Sequence, residues 1–361
     1  MRDEKRVVTL NDYEQRLMVR GLTDFRNDAL RDGKPTEDLD GLILKVSDAP
    51  AMGPPRNRRF RGERSRSGVI ELLPKAKAKD TELVATRERA KPSPSHHFYG
   101  GAAMNIHVLA VGDVVGDPGV NFLCRHLPTL RKLHDVHFTV VCGENAACNG
   151  LLPQQAEDIF SAGADVITMG NHTWDKQQIV KNMEDNHYIL RPANYTAWAP
   201  GRGWGIFDGP RGLRIRVVNL IGRCEMDSNF DNPFTKMDQI LKQSAADITL
   251  VDLHAEATSE KGAMAWYLDG RVQALWGTHT HVPTADCQVL PRGLGFVTDL
   301  GMTGPSQSVI GIKPEQAINR FMGGLPKRFQ PADGPCKLNA VLFEIDTVAK
   351  KCLSVQRIDI S

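Results

Sequence analysis

Five short stretches of this chain carry side chains able to bind metal or move protons, and each follows an apolar run. NIHVLAV (105–111) leads into GDVVGDPG with Asp113, VHFTVVC (136–142) into GEN with Glu144 and Asn145, and DVITM (165–169) into GNHTWD with Asn171, His172 and Asp175. DITLVDL (247–253) ends at His254, and VQALW (272–276) leads to GTHTH with His279 and His281. Imidazole mixed with carboxylate and amide oxygen suits Mn, Fe or Zn, whereas an all-oxygen set would suit Mg or Ca. About seven candidate ligands exceed the needs of one ion and match two ions sharing a bridging carboxylate about 3.5–4 Å apart. Singly, most have a plainer use: Asp113 as turn former or helix cap, Asn171 in an Asx-turn, His254 or His279 as structural histidines. Glu144, directly after an apolar strand, has little purely structural use. Five unrelated explanations at five strand ends are a poorer account than one site.

The elements that must position these groups are readable too. Apolar runs rich in β-branched residues alternate with helical patterns, and RIRVVNL (214–220) and GFVTDL (295–300) extend the series, so the fold class is α/β with parallel strands. In open α/β sheets the carboxyl ends of the strands form the ligand crevice, which brings the five turns together. No phosphate-binding G-x-x-x-x-G-K-[ST] loop and no G-x-S-x-G elbow competes with this site. GRGWGIFDG (201–209) does not join a strand to a helix and reads as a loop or hairpin.

Upstream the texture differs. Tyr13, Leu17, Met18, Leu22, Phe25 and Leu30 fall at helical spacing within 11–32, and a shorter helix is predicted from Thr36 through Val46. Residues 1–49 therefore read as a small helical segment and a candidate protein-interaction module. Lys+Arg outnumber Asp+Glu 12 to 5 over 51–100, against 9 to 11 over 1–50 and 24 to 27 over 104–361, which together give the net charge of +2. The Pro-, Gly- and Arg-rich stretch 50–103 is expected to be a disordered basic linker, with weak RNA contact through 51–100 as the functional alternative. Tyr-Gly-Gly-Ala-Ala-Met (99–104) also fits a translated ribosome-binding sequence ahead of a start at Met104, which would make residues 1–103 a fused upstream frame. Seven cysteines with no C-x-x-C pair argue against a disulfide framework or zinc ribbon. With no apolar run near 20 residues and no signal-peptide core at the N-terminus, a cytoplasmic protein without a membrane partner is expected.

With GDVVG, GEN, GNHTWD, HAEATSEK (254–261) and GTHTHVPTAD (277–286) in view, the chain resembles the calcineurin-like metallophosphoesterases, and more closely their YmdB-type branch. The likeness covers 104–361, including RPANY (191–195) and DLGMTGP (299–305). It implies a four-layer α/β/β/α sandwich and assigns ligands by position. Asp113, Glu144, Asn145 and His281 would hold the first metal, and Glu144, Asn171, His254 and His279 the second. His172 would be the proton donor, oriented by Asp175, while Arg191 and Lys261 are candidates for phosphate contact or else ordinary structural charges. Where the superfamily pattern G-D-x-H-G has His, this chain has Val115, and Asn145 fills the lost ligand position. The resemblance further implies a 2′,3′-cyclic nucleotide phosphodiesterase, oligomeric, with two divalent or mixed-valence ions, iron first and manganese second. The expected mechanism is in-line attack by a metal-bridging hydroxide while His172 protonates the leaving ribose oxygen. A phosphatase or nuclease acting on another phosphate ester, and a regulatory RNA-binding role for the basic segment, are the alternatives.

Overall fold

The computed structural model describes residues 105–226, 230–325 and 327–361, with the backbone of Arg6–Val8 and Ile70–Leu72. The chain divides into two compact units, Met1–Ser95 and His96–Ser361. In the first, β1 (Arg6–Val8) pairs antiparallel with β2 (Ile70–Leu72). The helices expected over 11–32 and 36–46 lie outside the described residues, as does the expected linker apart from β2. That strand falls in GVIELLP, an apolar, β-branched island within the basic stretch.

The second unit begins with β3 (Asn105–Val111), β4 (Asp113–Val114), α1 (Gly116–Leu133), β5 (Phe138–Cys142), α2 (Pro153–Ser161), β6 (Val166–Thr168), α3 (Gln178–Asp185) and β7 (Ile189–Leu190). It continues with β8 (Trp204–Asp208), β9 (Arg214–Ile221), α4 (Pro233–Gln243), β10 (Ile248–His254), α5 (Thr258–Leu268), β11 (Ala274–Thr278), β12 (Gln288–Val289) and β13 (Gly295–Val297). The last elements are β14 (Met302–Pro305), α6 (Pro314–Phe321), β15 (Cys336–Asp346) and β16 (Lys351–Ile360).

These strands form two sheets. One has the order β4-β14-β15-β3-β5-β6-β7, with β16 also paired to β15; the other runs β12-β13-β11-β10-β9-β8. Within them β3, β5, β6 and β7 are mutually parallel, as are β9, β10, β11 and β13. Strands of this kind are buried on both faces and read as continuous apolar runs; β5 and β10 are buried at every position. Helix α1 turns Val120, Leu123, Leu127 and Leu130 inward at alternating three- and four-residue steps. Asp117 in its first turn and Arg131 and Lys132 in its last complement the helix dipole.

One buried cluster joins the sheets to each other, including Val108, Phe138, Trp276 and Val297. Another packs the first sheet on α1, α2 and α3 through Leu109, Leu123, Ile159 and Ile179. A third packs the second sheet on α4 and α5 through Val218, Met237 and Met264. The glycine-rich 201–209 stretch, read as a loop or hairpin, contains β8 and turns into the antiparallel β9. No helix among the described residues is long and apolar enough to cross a membrane.

Candidate active site

The strand ends converge. Asp113 opens β4, Glu144 and Asn145 follow β5, Asn171 and His172 follow β6, His254 ends β10, and His279 and His281 follow β11. Two facing glycines let the first of these turns close: a Cβ on Gly112 would collide with the carbonyl oxygen of Gly301. A Cβ on Gly170 would run into the Glu144 carboxylate and the His254 ring, so the GNH turn can approach the site only with glycine there. Both histidines of GTHTH have positive φ, 99° for His279 and 64° for His281. Non-glycine residues rarely hold that conformation unless their surroundings impose it.

Around His254 the polar atoms crowd in a telling way. Its Nε2 lies 2.9 Å from Glu144 Oε1, 3.0 Å from Asn171 Oδ1 and 3.0 Å from His279 Nδ1. Its Nδ1 is 3.0 Å from Thr278 Oγ1, whose own hydrogen goes to Asp252 Oδ1 at 2.8 Å. Nδ1–H is therefore the donor to Thr278, which leaves Nε2 directed at the cluster. A carboxylate oxygen, an amide oxygen and two imidazole nitrogens thus converge with at most a proton or two to share. A second such pair lies beside it. His281 Nδ1 donates to the Ile310 carbonyl at 2.8 Å, so its Nε2 lone pair faces Asn145 Oδ1 at 3.2 Å, and that amide's NH₂ is turned to the Cys148 carbonyl. Acceptors aimed at one another are what a cation requires.

The electrostatics agree. Glu144 and Asp113 are buried. Burial opposes ionisation of Glu144, but the charge and hydrogen bond of His254, with help from His172, hold it at about 2. Burial likewise opposes charge on His254, yet Glu144 and then Asp113 raise it to about 9, so without a metal a proton on Nε2 takes the place of the cation. Burial, followed by the charge on His254, pushes His279 down to about 3 and keeps its ring neutral. Burial raises Asp113. The pocket attracts positive charge, and its mixed nitrogen and oxygen donors fit Mn, Fe or Zn. Asp113–Cys142–His254 and Glu144–His254–His279 are each close enough to ligate an ion.

His172 sits at the edge. Its Nδ1 is 2.8 Å from Asp175 Oδ2, and its backbone N–H donates to Glu144 Oε2 at 3.1 Å. The carboxylate accepts from Nδ1–H and fixes the orientation of the ring. Arg191 and Lys261 have other partners. The Arg191 guanidinium donates to the carbonyls of Pro192, Ala199 and Pro200, binding its own loop. Lys261 is buried and its Nζ lies 2.7 Å from Asp299 Oδ2.

The sequence reading passed over several groups. Asp299 also accepts from the Thr280 N–H and hydroxyl and, through Oδ1, from Gly301 N–H. Gly301 in turn accepts from Asp113 N–H at 3.1 Å. One carboxylate thus ties the His279–His281 turn to the turn of Asp113. Asp252, raised by burial to about 6, takes hydrogen bonds from Thr168 and Thr278, and the Cys142 thiol donates to Asp113 at 3.2 Å. Asp252 and Asp299 carried a visible signal: each is an acid inside or at the end of an apolar strand. Lys261→Met should cost about 3–5 kcal/mol, because it leaves the Asp299 charge buried and unpaired. Urea unfolding checks this, and a loss under about 1 kcal/mol would show the pair to be solvated.

Two sheets with a cluster of Asp, Glu, Asn and His side chains at their strand ends fit a phosphoric-ester hydrolase of the metallophosphoesterase type. The profile of the YmdB-like protein family matches residues 109–358, and the chain belongs to that family. It is 42% identical over 256 residues to a 2′,3′-cyclic-nucleotide 2′-phosphodiesterase of Bacillus subtilis (strain 168), covering 70% of this chain and 96% of that protein. Among solved structures it is similar to a hypothetical protein from Thermus thermophilus, with 37% identity and a TM-score of 0.67 over 71% of this chain and 99% of that one. It is also similar to a phosphatase from Mycoplasma pneumoniae, with 35% identity and a TM-score of 0.68 over 72% and 94% of the two chains.

Proposed function

We propose that this chain hydrolyses 2′,3′-cyclic nucleotides with two metal ions, iron or manganese. The observation that carries the reading is the pair of acceptor clusters at His254 Nε2 and His281 Nε2. Asp113, Glu144, Asn145 and His281 would hold one ion, and Glu144, Asn171, His254 and His279 the other. When bound, such ions supply a more acidic water and neutralise charge developing on the phosphate. The rest of the chemistry belongs to the protein. The imidazolium form of His172, its Nδ1–H held by Asp175, delivers its Nε2 proton to O2′ as water attacks phosphorus in line and the P–O2′ bond breaks; the phosphate stays on O3′, and the proton given up by the attacking water passes to solvent. Thr278 and Asp252 keep the His254 lone pair on the site, and Asp299 holds the His279–His281 turn.

The same reading takes residues 104–361 as the catalytic domain, an α/β/β/α sandwich. It makes the enzyme a cytoplasmic homo-oligomer. The test is hydrolysis of 2′,3′-cyclic AMP by the full-length protein, with metal content measured on the same sample. Two Fe or Mn per chain and release of 3′-AMP are expected, with activity abolished by chelation and restored by either metal. A metal-loaded protein inactive on this substrate but active on a phosphomonoester would move the assignment to a phosphatase. A folded protein that takes up neither metal would end the dinuclear reading.

A further inference from the structure

A groove of about 550 Å³ runs beside β8 and α4. Among the described residues its lining includes three cations (Arg191, Arg202 and Lys236), two aromatic rings (Tyr195 and Trp204) and no carboxylate. Arg202 is exposed. Arg191 is buried with its guanidinium bonded to neutral carbonyls, so it adds uncancelled positive charge to the groove while Arg202 and Lys236 are the ones offered to phosphate. Among the described residues Lys236 pairs with Asp231 at 3.2 Å, which is itself 62% exposed and screened by solvent.

Trp198 follows the groove residue Ala197 in the chain and is 96% exposed. Four hydrogen bonds anchor its turn: Trp198 N–H to Thr196 Oγ1, Ala199 N–H to the Thr196 carbonyl, and the Arg191 guanidinium to the carbonyls of Ala199 and Pro200. An exposed indole on a fixed turn is a surface held ready for contact. Through Tyr195 the groove's lining connects to the segment that carries His172. The Tyr195 ring packs edge-on against Trp174, with centroids 4.4 Å apart, and Trp174 lies between His172 and Asp175 in the chain.

Cations beside an exposed indole (Trp198) and two half-buried rings (Tyr195 and Trp204), with no carboxylate in the described lining, match a single strand of nucleic acid: phosphates meet the cations and a base stacks on the exposed ring. A 2′,3′-cyclic phosphate can exist only at the 3′ end of a strand, so a longer substrate must extend from the site in the 5′ direction. A mononucleotide would leave the groove unused. We propose that the groove holds the upstream nucleotides of an RNA strand whose 3′-terminal cyclic phosphate occupies the metal site, making oligonucleotide ends the preferred substrate class. This rests on the cyclic-phosphodiesterase reading above.

The experiment compares full-length protein with the Arg202→Ala/Lys236→Ala double variant and with Trp198→Ala. The substrates are 2′,3′-cyclic AMP and a pentaribonucleotide ending in a 2′,3′-cyclic phosphate. Binding of a fluorescent pentaribonucleotide ending in a 3′-phosphate is followed by anisotropy. For the parent protein kcat/KM should be about tenfold or more higher on the pentanucleotide. Each variant should lose about tenfold on the pentanucleotide, in hydrolysis and binding, and stay within about twofold on 2′,3′-cyclic AMP. The log–log salt dependence of binding should become shallower by about 1.4 in the double variant, from two lost phosphate contacts. Equal kcat/KM on both substrates, or equal losses on both in the variants, would overturn the proposal while leaving the phosphodiesterase reading intact. If neither substrate is cleaved, that reading fails and the anisotropy decides the groove alone; unchanged binding in the variants overturns it. A change of oligomeric state in the variants, without loss of RNA binding, would make the groove a protein interface and equally overturn it.

Discussion

Glu144→Gln should lower hydrolysis by at least about 10³-fold and reduce bound metal below two ions per chain, in a protein that still folds. The expectation follows from what the carboxylate does. Glu144 is buried, 2.9 Å from His254 Nε2 through one oxygen and bonded to His172 N–H through the other. It lies between the acceptor cluster at His254 and the turn that carries His172. Glutamine keeps the shape and one acceptor oxygen but removes the negative charge, leaving Asp113 as the remaining carboxylate in the proposed ligand set. Two closely spaced cations need a shared anion to offset their repulsion, and transition-state charge stabilisation depends on both ions being present. Metal analysis and steady-state kinetics on the same preparation decide the matter. Full metal content with full activity would remove Glu144 from the site, and full metal content with lost activity would make it a participant other than a bridge.

Much of this site was legible because its strands are central and parallel. NIHVLAV matches β3 residue for residue, and DITLVDL meets Ile248–His254 within one position. Strands buried on both faces leave little room for polar residues, so the first polar group after each marks the crevice. The antiparallel part was harder to see. β15 pairs with β3 across more than two hundred residues, Val341 opposite Ala110, and with β16 through a register shift near Glu344 and Ile345. No local pattern announces a partner at that separation. The division of strands between two sheets was hidden for the same reason, since β9, β10 and β11 look like continuations of β3, β5 and β6. Supporting groups were missed on other grounds. Thr278 and Thr168 are ordinary strand residues until their hydroxyls are seen on Asp252. Asp299 gains its meaning only when Thr280, Gly301 and Lys261 are brought around it.

His172→Ala should cut kcat on 2′,3′-cyclic AMP by about 10²–10⁴-fold, the usual worth of a positioned general acid. Metal content should not change, because the side chain bonds to Asp175 and only its backbone N–H touches Glu144. Asp175→Asn should give a smaller loss, about tenfold, by removing the carboxylate that orients the ring and stabilises its protonated form. The informative comparison is the leaving group. O2′ of ribose leaves as a strongly basic alkoxide unless it receives a proton, whereas p-nitrophenolate leaves readily without one. Hydrolysis of bis(p-nitrophenyl) phosphate should therefore tolerate His172→Ala far better than the cyclic nucleotide does. A residue that merely shaped the site, or helped to bind phosphate, would depress both substrates alike. An equal loss on the two esters would transfer His172 from proton donor to phosphate contact, and no loss on either would leave the donor to be sought elsewhere on the rim.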